Sequence, residues 1–375
     1  MFHGFVSLAI LVIVLLAGGP ALAAHSYTVG VVLSLSGPVA ANGVPTRDGI
    51  LLAAEEVNAA GGINGHKVEF AFEDDQSKAD QAVILATKLI NQTRVPLLIG
   101  GSFGSTANAM AAVVDRQKVP FLTPTAWIKE ELRLQPYTFF FIPDFFSVVD
   151  RMLELMTKDL GAKRVGLLRL SREYGQVGSD AFQKYKGKYG VEIVREERGA
   201  DGDTDFTPQL TNIRAAKPDV LVSWFANPAG AISIKNARQL GLTVPILGPV
   251  SMANLPTITV GGPAAEGAII QSLIAPADPL PRQRHFVELF QSKRGKSPEV
   301  FEAIGYDLGR AAIRVLAEAG GGDRPDPARL RDAVEKLQVE GAAAVIKFSV
   351  KSHEPDPASI LFVKVQGGKF VRAQR

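Results

Sequence analysis

Val95–Trp127, VPLLIGGSFGSTANAMAAVVDRQKVPFLTPTAW, decides how the chain is read. A short apolar strand, Val95–Ile99, runs into a turn of small residues, then a helix, then a second strand ending at Thr123-Pro124. Ala107, Met110, Ala111 and Val114 fall at the i, i+3, i+4, i+7 spacing of one helix face. Ser105 and Thr106 stand where a helix N-terminus is capped. Two strands joined through a helix form a parallel pair, so their carboxyl ends open on the same side. Ligands of open α/β sheets bind at that edge. Here it carries Ser102, Gly104, Ser105 and Thr106 from the turn, and Thr125, Ala126 and Trp127 beyond the second strand. Hydroxyls, bare backbone N–H groups and an aromatic ring together make the floor of a small-molecule site.

The same alternation extends to both sides. Upstream, the strand Tyr27–Leu35, the helix Thr46–Ala60, the strand Lys67–Phe72 and the helix Ala79–Asn91 follow in turn. Downstream of the short strand Phe139–Ile142 and Pro143-Asp144, the pattern restarts. Strands are predicted at 164–170, 191–196, 219–224, 244–247 and 266–270, with helices between the first four. After Pro279 the texture is helical, with stripes through Phe286 and Phe290, through Tyr306 and Ile313, and through Leu330 and Leu337. A hairpin, Ile360–Val365 and Phe370–Arg372, closes the chain. Three breaks, near Pro143, Pro279 and Pro357, each pair a proline with an aspartate. They predict that the chain passes three times between two α/β lobes, with a pocket that closes by hinge motion.

The chain has 375 residues, 46% hydrophobic and 21% charged, a composition that fits two globular domains. Its formal net charge is +3, with basic residues scattered among 38 acidic ones, so no nucleic-acid stripe forms. Phe5–Ala17 is apolar, Gly18-Gly19-Pro20 breaks it, and Ala21-Leu22-Ala23 matches a cleavage site. At about 13 residues the run is too short to span a bilayer and reads as a secretory signal peptide over 1–23. Its amino-terminal flank has His3 but no Lys or Arg, and a retained anchor is the alternative. The chain contains no cysteine, which excludes disulfides, thiol catalysis and Cys-type metal centres.

These residues resemble the branched-chain amino-acid-binding family of periplasmic substrate-binding proteins, the receptors of ATP-driven importers. The resemblance spans nearly the whole mature chain. Its carriers are Val29-Gly30-Val31-Val32, Leu35-Ser36-Gly37-Pro38, Ala54–Lys67 (AEEVNAAGGINGHK), Asp74-Asp75, Thr123-Pro124, Tyr174-Gly175, Asp205-Phe206 and Ala237–Leu242 (ARQLGL). It implies an α/β fold of two Rossmann-like lobes joined by three hinge crossings, the type I periplasmic binding protein. It divides the chain into 24–142 plus 277–353 for one lobe and 143–276 plus 354–375 for the other. It also implies a monomer in the periplasm that binds one small-molecule ligand, docks on an inner-membrane ABC permease, and needs no cofactor, metal or nucleic acid.

The resemblance carries the family's amino-acid site over in part. The carboxylate-binding places fall on Gly104–Thr106 and Thr125-Ala126, and helix N-termini suit anions. The family's key serine falls on Gly104, one residue before Ser105, and the threonine of the second stretch is Trp127. Asn42 falls where the first loop touches the ligand's tail, and Tyr174 where a tyrosine of the second lobe touches it. The glutamate that holds the ligand's amine corresponds to Val250, after Gly248-Pro249. A tyrosine after the 219–224 strand is replaced by Ala226, beside Trp224 and Phe225. Burying an ammonium without a partner costs several kcal/mol, so Val250 predicts a ligand with no α-ammonium. Trp127 and Phe225 predict flat or apolar bulk against it. Rival readings are an amino-acid receptor, a periplasmic sensor, and a serine hydrolase using Ser102 in the G-x-S-x-G of Gly100–Gly104, with His285 or His353. Both histidines lie in polar stretches expected to be exposed.

Overall fold

Val29, Val31, Val32 and Leu33 are wholly buried, as a parallel strand covered on both faces requires. They belong to β1 (Tyr27–Leu33) of a computed structural model that describes residues 26–373 apart from 129, 130, 132, 201 and 321–324. The expected signal peptide at 1–23 lies outside the described residues. The first half continues as α1 (Ala40–Ala59), β2 (Val68–Asp74), α2 (Ala79–Lys88), β3 (Leu98–Gly100), α3 (Gly104–Gln117), β4 (Phe121–Thr123) and β5 (Thr138–Phe140). These five strands form one parallel sheet in the order β2-β1-β3-β4-β5.

The alternation resumes with α4 (Phe145–Lys158), whose N-terminus is capped by Asp144 accepting from Ser147 N at 3.0 Å. It runs on through β6 (Arg164–Leu170), α5 (Glu173–Tyr189), β7 (Glu192–Gly199), α6 (Thr207–Ala215), β8 (Val220–Trp224), α7 (Ala229–Gln239), β9 (Ile246–Gly248), α8 (Leu255–Thr259) and β10 (Ile269–Ser272). Three helices follow: α9 (Pro281–Arg294), α10 (Val300–Ala319) and α11 (Pro327–Glu335). After them come the short hairpin β11 (Gln338–Glu340) and β12 (Val345–Lys347), and the closing hairpin β13 (Leu361–Gln366) and β14 (Lys369–Arg372). The second sheet runs β14-β13-β10-β9-β8-β6-β7, parallel except for β13 and β14.

The late helices return to the first sheet. Helices α1 and α10 cross so closely that a Cβ at Gly49 would fall 2.0 Å from the Glu302 carbonyl oxygen. A Cβ at Gly305 would fall equally close to the Thr46 carbonyl. The chain therefore passes between the sheets three times: from β5 to α4, from β10 to α9, and from β12 to β13. Each passage contains one of the three proline-marked breaks.

Two local expectations change. The first helix begins at Ala40, not Thr46, and runs through Pro45. Gly43 allows this, because a Cβ there would lie 2.1 Å from the Ser34 carbonyl, and Thr46 Oγ1 donates to the Asn42 carbonyl at 2.8 Å. Asn42 thus sits on the first turn of a helix rather than in a loop. The β11–β12 hairpin has no expectation behind it, since its turn, Gly341–Ala344, is shaped from outside by Asp307.

The N-terminus of α10 meets the second lobe. Glu299 accepts from Leu255 N at 3.0 Å, and Glu302, one turn on, accepts from Lys296 Nζ at 2.8 Å. Burial, with the Glu302 carboxylate adding to it, pushes Glu299 from its ordinary 4.5 up to about 7. The folded chain then binds a proton that the unfolded chain has released, so this group's contribution to stability is lost as pH rises from about 4.5 to about 7. Glu299→Gln keeps the acceptor for Leu255 and removes the charge. It is expected to stabilise the protein by about 1–3 kcal/mol at pH 8 and by much less at pH 5. Urea unfolding of both proteins at the two pH values tests this, and an equal difference at both would contradict it.

Candidate functional site

In each sheet the first strand of the run lies between neighbours reached in opposite directions, β1 between β2 and β3 and β6 between β7 and β8. The strand ends at these two reversals face one cavity of about 370 Å³. On the first lobe the end of β1 is held by carboxylates. Asp74 accepts from the N–H groups of Leu35, Ser36 and Gln76, and Asp75 accepts from Ser34 Oγ at 2.6 Å. This fixes Ser34, whose N–H donates to Ser102 Oγ at 2.9 Å. Gly101 precedes it at φ +75°, a conformation that favours glycine, and turns the chain into α3. The N–H groups of Gly104 and Ser105, in the first turn of α3, have no carbonyl partner within the helix. They leave an anion-accepting end facing the cavity.

On the second lobe, Tyr174 Oη and Ser251 Oγ lie 2.9 Å apart, and Ser251 Oγ donates to the Phe225 carbonyl at 2.9 Å. Burial holds the Tyr174 phenol well above its ordinary range, so it is neutral at physiological pH. Apolar walls come from Ile128, Ile142, Phe145, Leu170, Val250 and Phe301. Among the described residues the charged members of the lining are Arg172 and Glu173, which are adjacent, opposite in sign and exposed. Both are engaged in interactions of their own. Beside the cavity, Asn254 Nδ2 donates across the cleft to Asn42 Oδ1 at 3.2 Å.

Seven of the residues expected at the site line this cavity: Asn42, Ser102, Gly104, Ser105, Thr125, Tyr174 and Val250. Four do not. Thr106 turns inward and donates to the Phe103 carbonyl at 3.0 Å, and Ala126 is buried in the core. Trp127 stacks on Phe146 and donates from Nε1 to Glu354 Oε2 at 2.9 Å, so it fastens the third crossing instead of touching a ligand. Phe225 is wholly buried against Phe206, and Trp224 packs over Gly178 while donating to the Tyr174 carbonyl. The chain turns after Phe225, and Ala226 is the residue that reaches the cavity. Apolar bulk is present, but Phe145, Ile128 and Phe301 supply it. Phe145 could have been sought directly after the Pro143-Asp144 break. Phe301 left no local signal.

Among the described residues no hydrolase constellation forms around Ser102. His285 lies on another face, paired with Glu56 at 2.7 Å. His353 is buried rather than exposed, stacked on Phe139 with Nδ1 against the carbonyls of Gln135 and Thr138. Neither lines the cavity beside Ser102. Among the described residues no group of three metal-ligating side chains occurs, and no helix is long and apolar enough to cross a membrane.

The pattern of the periplasmic binding proteins matches residues 26–369. A leucine-, isoleucine-, valine-, threonine- and alanine-binding protein of Pseudomonas aeruginosa is 23% identical over 335 residues, 88% of this chain and 87% of that one. A leucine binding protein from Thermotoga maritima superposes with a TM-score of 0.82 at 24% identity, covering 92% of this chain and 97% of that chain. An ABC transporter solute-binding protein from R. palustris, in complex with benzoate, superposes with a TM-score of 0.82 at 23% identity, covering 92% and 95%. These superpositions establish the fold, two α/β lobes of the type I arrangement.

Proposed function

The chain belongs to the periplasmic binding protein family, a family of solute receptors and not of enzymes, and from that premise we propose that it binds a small amine-free carboxylate, aromatic or aliphatic, for an ABC importer. The observation that carries this reading is Val250. It is almost fully buried in the cavity wall, at the place where the resemblance puts an amine-holding glutamate. Among the described residues the carboxylate in the lining is Glu173, which is exposed and engaged in an interaction of its own, so an ammonium placed against Val250 has no buried carboxylate to compensate its desolvation. The carboxylate end is received by Ser102, Ser105 and the open first turn of α3, and the apolar body by Phe145, Leu170 and Phe301. Ligand in contact with both lobes favours the closed arrangement through contacts present only there.

The names of the relatives favour a second reading, an amino-acid receptor. One titration series separates the two. Leucine, phenylalanine, benzoate, 4-methylpentanoate and 2-oxo-4-methylpentanoate are added to the purified protein and thermal unfolding is followed. A ligand at a hundred times its Kd stabilises the native state by about 2.7 kcal/mol. Stabilisation by acids and none by amino acids is expected. Stabilisation by leucine would overturn the amine-free reading.

A further inference from the structure

The hydroxyl network on the two cavity walls has a direction. The Phe225 carbonyl has one partner among the described residues, the Ser251 hydroxyl at 2.9 Å. A serine carries one proton, so Ser251 spends it on that carbonyl. Pointing it at Tyr174 instead would leave two oxygens facing each other with no hydrogen between them. The 2.9 Å contact between Ser251 and Tyr174 is therefore a donation from the phenol to Ser251 Oγ. The Tyr174 proton is thereby occupied, and its oxygen keeps only accepting capacity.

The opposite wall has the reverse polarity. Ser102 Oγ accepts from Ser34 N at 2.9 Å, and among the described residues its own proton has no acceptor in the protein. The Asn42 side-chain oxygen Oδ1 accepts from Asn254 Nδ2, which leaves the Asn42 side-chain amide protons to give. With the open N–H groups of α3, the first lobe presents donors, and the second lobe, beside the exposed Arg172 and Glu173, presents a neutral acceptor at Tyr174.

We infer that the ligand is a hydroxy acid: a carboxylate held by the donors of the first lobe, and on the same small skeleton a neutral hydroxyl that donates to Tyr174 Oη. The inference rests on the amine-free reading and narrows it. A keto, ether or methyl group in place of the hydroxyl brings no proton and faces the Tyr174 oxygen with nothing to share. Burial keeps that oxygen un-ionised. It thus offers a dipole and not a charge, which suits a hydroxyl better than an ammonium.

Calorimetric titration of two matched series tests this. The first is 2-hydroxy-4-methylpentanoate against 4-methylpentanoate, its 2-oxo form and leucine. The second is the hydroxybenzoates against benzoate and the methoxybenzoates. In at least one series the hydroxy acid is expected to bind about tenfold or more tightly than its proton-less counterparts, the loss of one hydrogen bond in an enclosed site. Tyr174→Phe is expected to bring that ratio to within about twofold. Ser251→Ala frees the phenol proton and is expected to shift preference toward the oxo or methoxy acids. A variant that merely loosened the fold would lower the melting temperature without reversing selectivity. Hydroxy acids binding no better than their counterparts, with acids otherwise bound, would overturn this inference alone. Binding of leucine in preference to every acid, or of no acid at all, would overturn the amine-free reading and this inference with it.

Discussion

Val250→Glu is expected to give the protein an affinity for leucine and to weaken its binding of amine-free acids by about 10²- to 10³-fold. Val250 opens a short turn, Val250–Met252, and lines the cavity next to Ser251. A glutamate there is desolvated. Burial favours its protonated form, so the empty variant folds with a neutral side chain. An incoming carboxylate brings a second acid into the same small cavity, and one of the two must stay protonated. Amine-free acids therefore bind less tightly, the more so as pH rises. An α-ammonium reverses the balance, since the glutamate ionises and pairs with it in a place of low dielectric. Calorimetric titration with leucine and 4-methylpentanoate at pH 6 and pH 8, alongside a melting curve, reads both effects. Unchanged acid affinity with no gain of leucine would show that position 250 does not face the ligand's head group.

Asp307→Ala is expected to lower the unfolding free energy by about 3–5 kcal/mol. Asp307 is buried on α10, and its carboxylate accepts from the N–H groups of Ala342, Ala343 and Ala344 at 2.6, 2.8 and 3.1 Å. Burial pushes its pKa up to about 6 against these donors and the nearby Arg282, so it remains ionised at neutral pH. Arg282 closes the same turn from outside, donating to the Gly341 and Ala342 carbonyls. Alanine would leave three buried N–H groups without an acceptor and the Arg282 charge without its counter-ion. Urea unfolding is the measurement. A loss under 1 kcal/mol would mean that the turn finds other partners. Asp307→Asn, which keeps an acceptor but supplies fewer lone pairs, is expected to fall between the two.

The turn around Asp307 also marks a boundary of what the chain reveals locally. Gly341-Ala342-Ala343-Ala344 carries none of the residues that specify a tight hairpin, and helix propensity favours its alanines. A carboxylate some 35 residues upstream organises it, so no window of sequence around 338–347 contains the instruction. The first helix is similar. Pro45 reads locally as a helix start, and only the fit of Gly43 against the end of β1 carries the helix back to Ala40.

The sequence by itself determined the α/β alternation of both lobes and the closing hairpin, though not α8 or the β11–β12 hairpin, together with the three crossings and the turn at Ser102–Thr106. Each of these follows from short-range causes: periodicity of apolar residues, strand-end glycines, and prolines that interrupt the alternation. It also contained the valine at 250. The tertiary structure alone decided which rings meet the cavity. Trp127, Trp224 and Phe225 were absorbed by the core and the hinge, while Phe145 and Phe301 were brought to the cleft from a crossing and from a helix far along the chain. It alone set the direction of the Tyr174–Ser251 pair, because that depends on a carbonyl at the end of another strand. The physical reason is the same in each case. Periodicity reports which face of an element is apolar. Apolar core and apolar cleft share that signature, and only long-range packing tells them apart.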